Sequence, residues 1–406
     1  MTAHLVRSTA AEEPFDLLGS VPGGSGPVWL HQGGGLVGIG EAARFEIAPG
    51  PGRFERAQAV LASFFSSCKV HDEVRRLGSG PVAFGAFTFD RDAPGSALVV
   101  PQVVLGLREG RAWVTRIDGA AAARVKVPAP PAAAAERIRY AGSTMSELRW
   151  LEIVDEAVSA IAAGRLDKVV LARDLLVWSK SDFDLRLLAG RLAARYPQCF
   201  TFAFDGLIGA TPELLVRRWG TDIESLVLAG SAARGHDEEA DRALGGDLLH
   251  SLKDLDEHRP AVESVRSILN EVCTDLRSDP EPHLLKLANV QHLATRLQGR
   301  LASPASALEL AGRLHPTAAI CGTPTSAALE LIHSLEGMER ARYSGPVGWV
   351  SASGDGEWGI ALRCAELNGG RGRLFAGSGI VRESLPEAEL EETRLKLRAM
   401  QAALEG

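Results

Sequence analysis

The chain has 406 residues, of which 46% are hydrophobic and 23% are charged, and its formal net charge is −7. This composition is typical of a globular protein that buries an extensive core. The acidic balance argues against a protein that binds the phosphate backbone of nucleic acids, which requires a basic face, but it leaves room for a small anionic substrate.

The N-terminal part, up to about residue 141, is predicted to consist of short strands and turns. Apolar and β-branched runs predict strands at residues 81–90, 97–104 and 111–117. A stretch rich in Ala and Pro, residues 119–135, is predicted to be an exposed loop.

The middle of the chain alternates between strand and helix signals. Ser146 is predicted to cap a helix that ends at Gly164, and the run 168–177 predicts a strand. The alternation of Phe200, Phe202 and Phe204 with smaller residues predicts another strand. Helical periodicity extends over residues 236–278, and further helix and loop are expected over residues 284–314.

The C-terminal third predicts an antiparallel meander followed by a helix. Its three strands are expected at residues 347–350, 357–367 and from 373 onwards, with turns at Asp355-Gly356 and Asn368-Gly369. The last helix is expected from Pro386 to about Leu404. Antiparallel strands alternating with long helices indicate an α+β fold in which helices cover the sheets.

The five cysteines are scattered and no pair has the Cys-x-x-Cys spacing. This pattern favours reduced thiols over a disulfide framework or a zinc site. The N-terminus lacks the apolar segment of a secretory signal, and no apolar run reaches membrane-spanning length. We therefore expect a cytoplasmic protein that binds neither nucleic acid nor membranes.

Two pairs of acidic residues stand three positions apart in predicted helices, Asp254 with Glu257 and Glu389 with Glu392. Like charges at this spacing repel each other unless a positive partner lies opposite. Mg²⁺ is such a partner, because it takes one or two carboxylates together with water and an anionic substrate. Each pair by itself is explained more simply as a solvated helix face.

Lys168 and Glu213 are candidates for acid–base chemistry. Lys168 opens an apolar strand, where partial burial would suit a lysine base, although a lysine at a sheet edge can also extend to water. Glu213 follows a proline and precedes an apolar run. It is either a general acid held in a loop or an ordinary acidic residue of a first helical turn.

Arg363 is predicted to lie on a strand over residues 358–365, flanked by the small residues Ala361 and Ala365. Small neighbours leave space around the guanidinium, as a carboxylate-binding cleft requires. The next strand ends in Ala-Gly-Ser-Gly at residues 376–379, where backbone N–H groups can approach an anion. The histidines, His292 among them, show no zinc spacing and are interpreted as packing or hydrogen-bonding residues.

From about residue 146 to residue 404, the chain resembles the chorismate-utilising enzyme family. The segments that carry this resemblance are DKVVLAR (167–173), GATPE (209–213), LAGS (228–231), KDLDEH (253–258), HLAT (292–295), HPTAAICG (315–322), IALRC (360–364) and AGSGIV (376–381). The resemblance implies one α+β domain over residues 1–406, with two packed, mostly antiparallel sheets and helices on the outside. Residues 1–141 would be its divergent part and residues 142–406 would carry the catalytic motifs.

The resemblance also implies roles for individual residues. Lys168 looks like the base that activates water for attack at C2 of chorismate, and Glu213 like the acid that protonates the departing C4 hydroxyl. Glu257 and Glu392 look like the ligands of Mg²⁺, with Asp254 and Glu389 close by. The residues that look like the substrate-binding site are Gly230, Ser231, Ala319, Arg363, Gly377 and Lys396.

Within the family, Lys168 argues against anthranilate synthases, which usually have glutamine there. Aminodeoxychorismate synthases have a lysine, but in a different neighbouring motif. Salicylate synthases share Lys168 and Glu213 and resemble the chain at Tyr343, but usually have threonine where this chain has Ala319.

The segment His-Pro-Thr-Ala-Ala at residues 315–319 is closer to isochorismate synthases. We therefore predict a Mg²⁺-dependent isomerase that adds water at C2 of chorismate and removes the C4 hydroxyl, for menaquinone or siderophore biosynthesis. The alternatives are a salicylate synthase, which would go on to eliminate pyruvate, and a catalytically inactive chorismate-binding homologue. A monomer without a glutaminase subunit is expected.

Overall fold

The computed structural model describes residues 3–13, 15–20, 26–118 and 135–406. The loop predicted at residues 119–135 therefore lies outside the described residues, except for Ala135.

Within the described ranges, the chain forms eight helices and 23 strands. The helices are α1 (Arg53–Ser66), α2 (Glu147–Ala162), α3 (Leu185–Arg195), α4 (Glu238–His250), α5 (Leu252–Val272), α6 (Ala307–Leu314), α7 (Thr325–Leu335) and α8 (Pro386–Glu405). The strands of the first half are β1 (His4–Ala10), β2 (Val28–His31), β3 (Gly34–Ile39), β4 (Ala43–Ile47), β5 (Cys68–Asp72), β6 (Val82–Ala86), β7 (Ser96–Val100), β8 (Val103–Arg108), β9 (Arg111–Ile117), β10 (Arg139–Tyr140), β11 (Lys168–Trp178) and β12 (Phe200–Phe204). The remaining strands are β13 (Leu207–Thr211), β14 (Leu214–Trp219), β15 (Asp222–Ala233), β16 (Arg277–Ser278), β17 (His283–Lys286), β18 (Val290–Arg300), β19 (Gly322–Thr323), β20 (Pro346–Ser351), β21 (Gly356–Ile360), β22 (Cys364–Asn368) and β23 (Arg371–Ile380).

The strands form two sheets, and every neighbouring pair is antiparallel except β1 with β5. Sheet A has the order β10-β11-β23-β22-β13-β12-β2-β3-β8-β9-β1-β5, with β19 beside β11. Sheet B has the order β16-β18-β15-β14-β21-β20-β6-β7-β4, with β17 beside β18. The prediction of one α+β domain with two mostly antiparallel sheets is confirmed.

The two sheets share a core of large aromatic side chains. Trp29 and Trp113 of sheet A pack in one buried cluster with Phe84 and Trp349 of sheet B. Burial of side chains of this size supplies much of the hydrophobic stabilisation of a fold.

Several local predictions are confirmed. Ser146 caps α2, since its Oγ accepts a hydrogen bond from the Arg149 N–H at 3.1 Å. Pro386 is the first residue of α8, which ends at Glu405. The alternating phenylalanines form β12, and the helical periodicity of residues 236–278 corresponds to α4 and α5.

The predicted strand over residues 357–367 is wrong, because it is two strands in different sheets. β21 belongs to sheet B and β22 to sheet A, so the C-terminal strands form two separate hairpins and no meander. Between them, Ala361 exchanges backbone hydrogen bonds with Ser344 and Gly345, and Arg363 adopts a φ of 49°. The predicted strand 97–104 breaks in the same way, between β7 and β8.

The expectation of further helix and loop over residues 284–314 is also wrong for most of that range. β17 and β18 occupy its first half, and only α6 is helical. β18 pairs with β15 over eleven residue positions. These hydrogen bonds come from a strand some 70 residues earlier, so they override a local preference that the sequence expresses only weakly.

One buried carboxylate links the two sheets. Glu357 of sheet B is 1% exposed and accepts hydrogen bonds from Trp29 Nε1 (2.8 Å) and Arg108 Nη2 (3.1 Å) of sheet A. From its own sheet it accepts from Arg217 Nε at 2.7 Å and Trp349 Nε1 at 3.4 Å. Burial opposes ionisation of Glu357, but Arg217 and Arg108 outweigh it and hold its pKa at about 2.

Glu357→Ala is therefore expected to lower the free energy of unfolding at neutral pH by about 3–5 kcal/mol, because it leaves buried donors without their acceptor. Since the folded pKa is depressed, this stabilisation is present above the pKa of an unfolded glutamate, about 4.3, and is lost as the pH falls towards 2. Urea unfolding at pH 7 and pH 3 measures both effects. The exposed Glu152→Ala is the control, and an equally small effect of both substitutions would contradict the expectation.

In the parts of the chain that the structure describes, no helix has both the length and the apolar character needed to cross a membrane.

Candidate active site

A cavity lies where the two sheets meet helices α5 and α8, and its wall combines charged, polar and aromatic side chains. Eight of the ten residues that the sequence predicted for the site line this cavity: Glu213, Gly230, Ser231, Glu257, Ala319, Arg363, Gly377 and Lys396. The other two, Lys168 and Glu392, lie directly behind its wall, in contact with Glu257 and Lys396 respectively.

Lys168 is the first residue of β11 and its side chain is completely buried. Its Nζ donates a hydrogen bond to the Glu257 carbonyl oxygen at 3.1 Å and lies 3.3 Å from Glu257 Oε1. The alternative of an edge lysine extending to water is therefore excluded. Gly379 makes this contact possible, because a Cβ there would lie 2.2 Å from Glu257 Oε1 and 3.1 Å from Lys168 Cε.

Glu213 lies between β13 and β14 and is 3% exposed. No helix begins here, so the alternative of a first-turn acid is wrong. Burial raises the pKa of Glu213 to about 8, against the opposing charges of Lys168, Arg363 and Lys396. Glu213 is thus mainly protonated at neutral pH, and its carboxyl group can donate a proton into the cavity.

The acidic pairs meet between the two helices that carry them. Burial raises the pKa of Glu257; Lys168 opposes this effect and the nearby charge of Glu392 adds to it. Burial also disfavours the charge of Glu392, but Lys396, whose Nζ lies 2.5 Å from Glu392 Oε1, outweighs it and lowers the pKa. Glu389 is 1% exposed and lies 2.8 Å from the Lys253 ammonium. The buried carboxylates of Glu257 and Glu389 are therefore not parts of a solvated helix face.

The donor set fits a magnesium ion that takes few protein ligands. Among the described residues, no group of three or more His, Cys, Asp or Glu side chains is arranged to hold a metal by itself. Mg²⁺ is usually bound by only one or two carboxylates, with water and substrate oxygens completing its shell. Glu257 and Glu392 could supply that share. Asp254 lies beside Gly230 of the cavity wall, since a Cβ on Gly230 would be 3.3 Å from its Oδ1.

Arg363 lies in the break between β21 and β22, and this break brings its guanidinium to the cavity. The prediction that it lies on a regular strand among small residues is wrong. Arg363 Nη2 is 2.8 Å from His292 Nε2. Because a guanidinium can only donate, His292 Nε2 must accept, and Nδ1 carries the proton that it shares with Ser231 Oγ (3.0 Å) and the Gly230 carbonyl oxygen (3.2 Å).

The sequence interpretation missed His292 as a site residue. Burial and the charge of Arg363 lower the pKa of His292 well below its usual range, so the ring is neutral and can accept from the arginine. The only signal in the sequence was its position in the HLAT segment, because histidine spacing by itself pointed to no site.

The cavity wall near Gly377 combines an aromatic side chain and a second cation. Tyr343 stacks on Phe375 with ring centroids 5.1 Å apart, and burial raises the pKa of its hydroxyl to about 12. A Cβ on Gly377 would lie 2.9 Å from the Tyr343 hydroxyl. Lys396 Nζ donates to the Gly377 carbonyl oxygen at 2.9 Å. With Arg363, it gives the cavity two cationic groups that suit an anionic ligand.

Comparison with known proteins supports an assignment to a family. Residues 29–405 match a family model described as chorismate binding enzyme. The match begins well before residue 146, so it includes most of the N-terminal part in which the sequence motifs showed no resemblance.

The similar proteins include isochorismate synthase DhbC of Bacillus subtilis, 41% identical over 263 residues, which are 62% of this chain and 66% of that protein. Isochorismate synthase MenF of Bacillus subtilis is 32% identical over 404 residues, covering 91% of this chain and 85% of that protein. The solved structure of MenF, the menaquinone-specific isochorismate synthase from Escherichia coli, superimposes with a TM-score of 0.81 at 26% identity, covering 99% of this chain and 95% of that one.

Proposed function

Because the chain belongs to the family of chorismate binding enzymes, we propose that it isomerises chorismate to isochorismate. The observation that carries this proposal is that a buried carboxyl lining the cavity, Glu213, lies close enough to feel the charge of a buried amine just behind the cavity wall, Lys168. Transfer of a hydroxyl group across a conjugated diene requires a base and an acid that act on different carbons.

In the proposed reaction, the Lys168 amine accepts a proton from a water molecule as that water attacks C2 of the ring. Glu213 donates its proton to the C4 hydroxyl, which leaves as water. One water molecule enters and one leaves, so the reaction is an isomerisation. The raised pKa of Glu213, about 8, supports its role as the proton donor.

Arg363 and Lys396 are proposed to bind the carboxylates of chorismate, while Gly230, Ser231, Ala319 and Gly377 shape the cavity around the ring. The hydrogen bond between Arg363 and neutral His292 fixes the orientation of the guanidinium. A Mg²⁺ ion held by Glu257 and Glu392 would supply positive charge for a substrate carboxylate and limit the motion of the ring. Since water is the nucleophile, the reaction needs no glutaminase subunit; a monomeric state stays a prediction.

Incubation of the purified protein with chorismate and Mg²⁺, followed by chromatography, tests the proposal. Isochorismate as the sole product is the expected result. Salicylate together with pyruvate would instead support the salicylate synthase alternative, and the absence of turnover would support an inactive homologue. The product is proposed to enter menaquinone or siderophore biosynthesis; a menaquinone-specific isochorismate synthase is among the similar proteins.

Removal of divalent metal by a chelator is expected to reduce turnover to background, and added Mg²⁺ is expected to restore it. Glu392→Gln should raise the Mg²⁺ concentration for half-maximal activity by more than about tenfold, because loss of even an outer partner of a metal ligand commonly has that effect. Its neighbour Glu391 is 66% exposed and pairs with Arg394, so Glu391→Gln is a matched control. Full activity in the presence of chelator would refute the metal assignment.

A further inference from the structure

The outer edge of β11 lacks a strand neighbour along its centre. One edge of β11 pairs with β23 over ten residue positions. On the other edge, β19 pairs only at Lys168 and Val169, and β10 only at Val177 and Trp178. In the described ranges, no strand pairs with the part of this edge that lies between these contacts. Buried backbone N–H and C=O groups there need other partners.

A buried ion pair supplies two of these partners. Glu336, at the end of α7, accepts a hydrogen bond from the Ala172 N–H through Oε1 at 2.8 Å. Arg340 donates from Nη2 to the Val170 carbonyl oxygen at 2.7 Å, and from Nε to Glu336 Oε2 at 2.9 Å. Arg340 is 4% exposed and Glu336 is 2% exposed, so this pair replaces the missing strand inside the protein.

The side chain and the backbone of Arg340 connect β11 to two other parts of the cavity wall. Arg340 Nη1 donates to the Ile320 carbonyl oxygen at 2.9 Å, and the Arg340 carbonyl oxygen accepts from the Tyr343 N–H at 3.0 Å. Val170, Ile320 and Tyr343 all line the cavity, whereas Arg340 does not. Lys168 lies two residues before Val170 and therefore shares its face of the strand.

We propose that Arg340, held in place by Glu336, is a positioning residue for the reaction. It acts from behind the cavity wall and joins the strand of Lys168 to the segments of Ile320 and Tyr343. These contacts fix the position of the Lys168 amine relative to the substrate. This inference rests on the proposed function, because it concerns the geometry of that reaction.

An arginine suits this role for a physical reason. Its planar guanidinium donates in several fixed directions at once, and here it reaches two carbonyl groups and one carboxylate. A lysine at the same position keeps the charge but cannot hold three acceptors in one plane. Because a displacement of about 1 Å in an active site can cost a factor of about 100 in rate, Arg340→Lys should act mainly on kcat.

The experiment compares Arg340→Lys with Arg53→Lys. Arg53 is also buried, at 3% exposure, and donates to the Thr88 and Asp90 carbonyl oxygens at 2.8 Å each, but none of these residues lines the cavity. Arg340→Lys is expected to lower kcat at least tenfold with KM changed less than about threefold. Arg53→Lys is expected to lower Tm similarly while kcat stays within about twofold of wild type.

Hydrogen exchange gives a second measurement that does not depend on turnover. In Arg340→Lys, peptides covering residues 168–176 and 315–323 should exchange faster, and the corresponding peptides in Arg53→Lys should not. Glu336→Gln is used in both measurements if Arg340→Lys does not fold. Unchanged kcat in the Arg340 variant, or an equal loss of kcat in both variants at equal Tm, would overturn the proposal. A wild-type protein that makes no isochorismate would refute the proposed function, while the exchange data would still decide whether Arg340 holds these segments together.

Discussion

Glu213→Gln is expected to lower kcat by about a thousandfold, within the range that general acids commonly contribute. The amide has nearly the same size as the carboxyl group but cannot give up a proton. Because Glu213 is mainly protonated at neutral pH, the substitution changes neither shape nor charge by much, and Tm should stay within a few degrees of wild type. Steady-state kinetics and thermal unfolding of the purified variant measure the two quantities.

The dependence on pH distinguishes loss of the acid from general damage. The protonated form of Glu213 is the active one, so kcat/KM of the wild type should decline as the pH rises through about 8. The residual activity of Glu213→Gln should lack this decline. Glu224→Gln, which alters a carboxylate paired with Arg217 outside the cavity, is the control. A variant with near-normal kcat would remove Glu213 from the mechanism.

Lys168→Met is expected to reduce turnover by a similar factor, about a thousandfold, because methionine cannot accept a proton from water. Methionine fills most of the volume of the buried lysine, whereas alanine would leave a hole in a wall that has no solvent access. The substitution also removes the ion pair between Lys168 and Glu257. The fold should tolerate this loss, since burial raises the pKa of Glu257 and its carboxyl group can become neutral when Lys168 is absent.

Calorimetry with chorismate and Mg²⁺ tests whether Lys168→Met still binds substrate. Binding is expected to persist, because Arg363 and Lys396, the proposed carboxylate anchors, remain in place. Lys180→Met, at a lysine that is 63% exposed, is the matched control and should retain full activity. Substantial turnover by Lys168→Met would show that another group acts as the base.

Local physics explains which structural predictions succeeded. The cap at Ser146, the proline at the start of α8 and the periodicity of α4 and α5 depend on residues within one or two helical turns. The strand at Lys168 is similar, because short apolar runs lie on both sides of Arg173 and Asp174. Such signals lie within a short window of sequence and need no knowledge of distant neighbours.

The failures share a different cause. The break between β21 and β22 depends on backbone contacts of Ala361 with Ser344 and Gly345, and β18 depends on its pairing with β15. A strand that changes sheets has the same local composition as one that does not. Sequence periodicity therefore could not place Arg363 in an irregular segment at the cavity.

The sequence by itself determined the fold class, the order of the motifs and the residue types available for chemistry, because these depend on local patterns and on resemblance along the chain. Only the tertiary structure decided that Lys168 has no contact with solvent, that burial raises the pKa of Glu213 to about 8, and that His292 supports Arg363. Burial and electrostatic interaction arise from groups that are far apart in sequence, so they exist only after the two sheets and the helices α5 and α8 have come together.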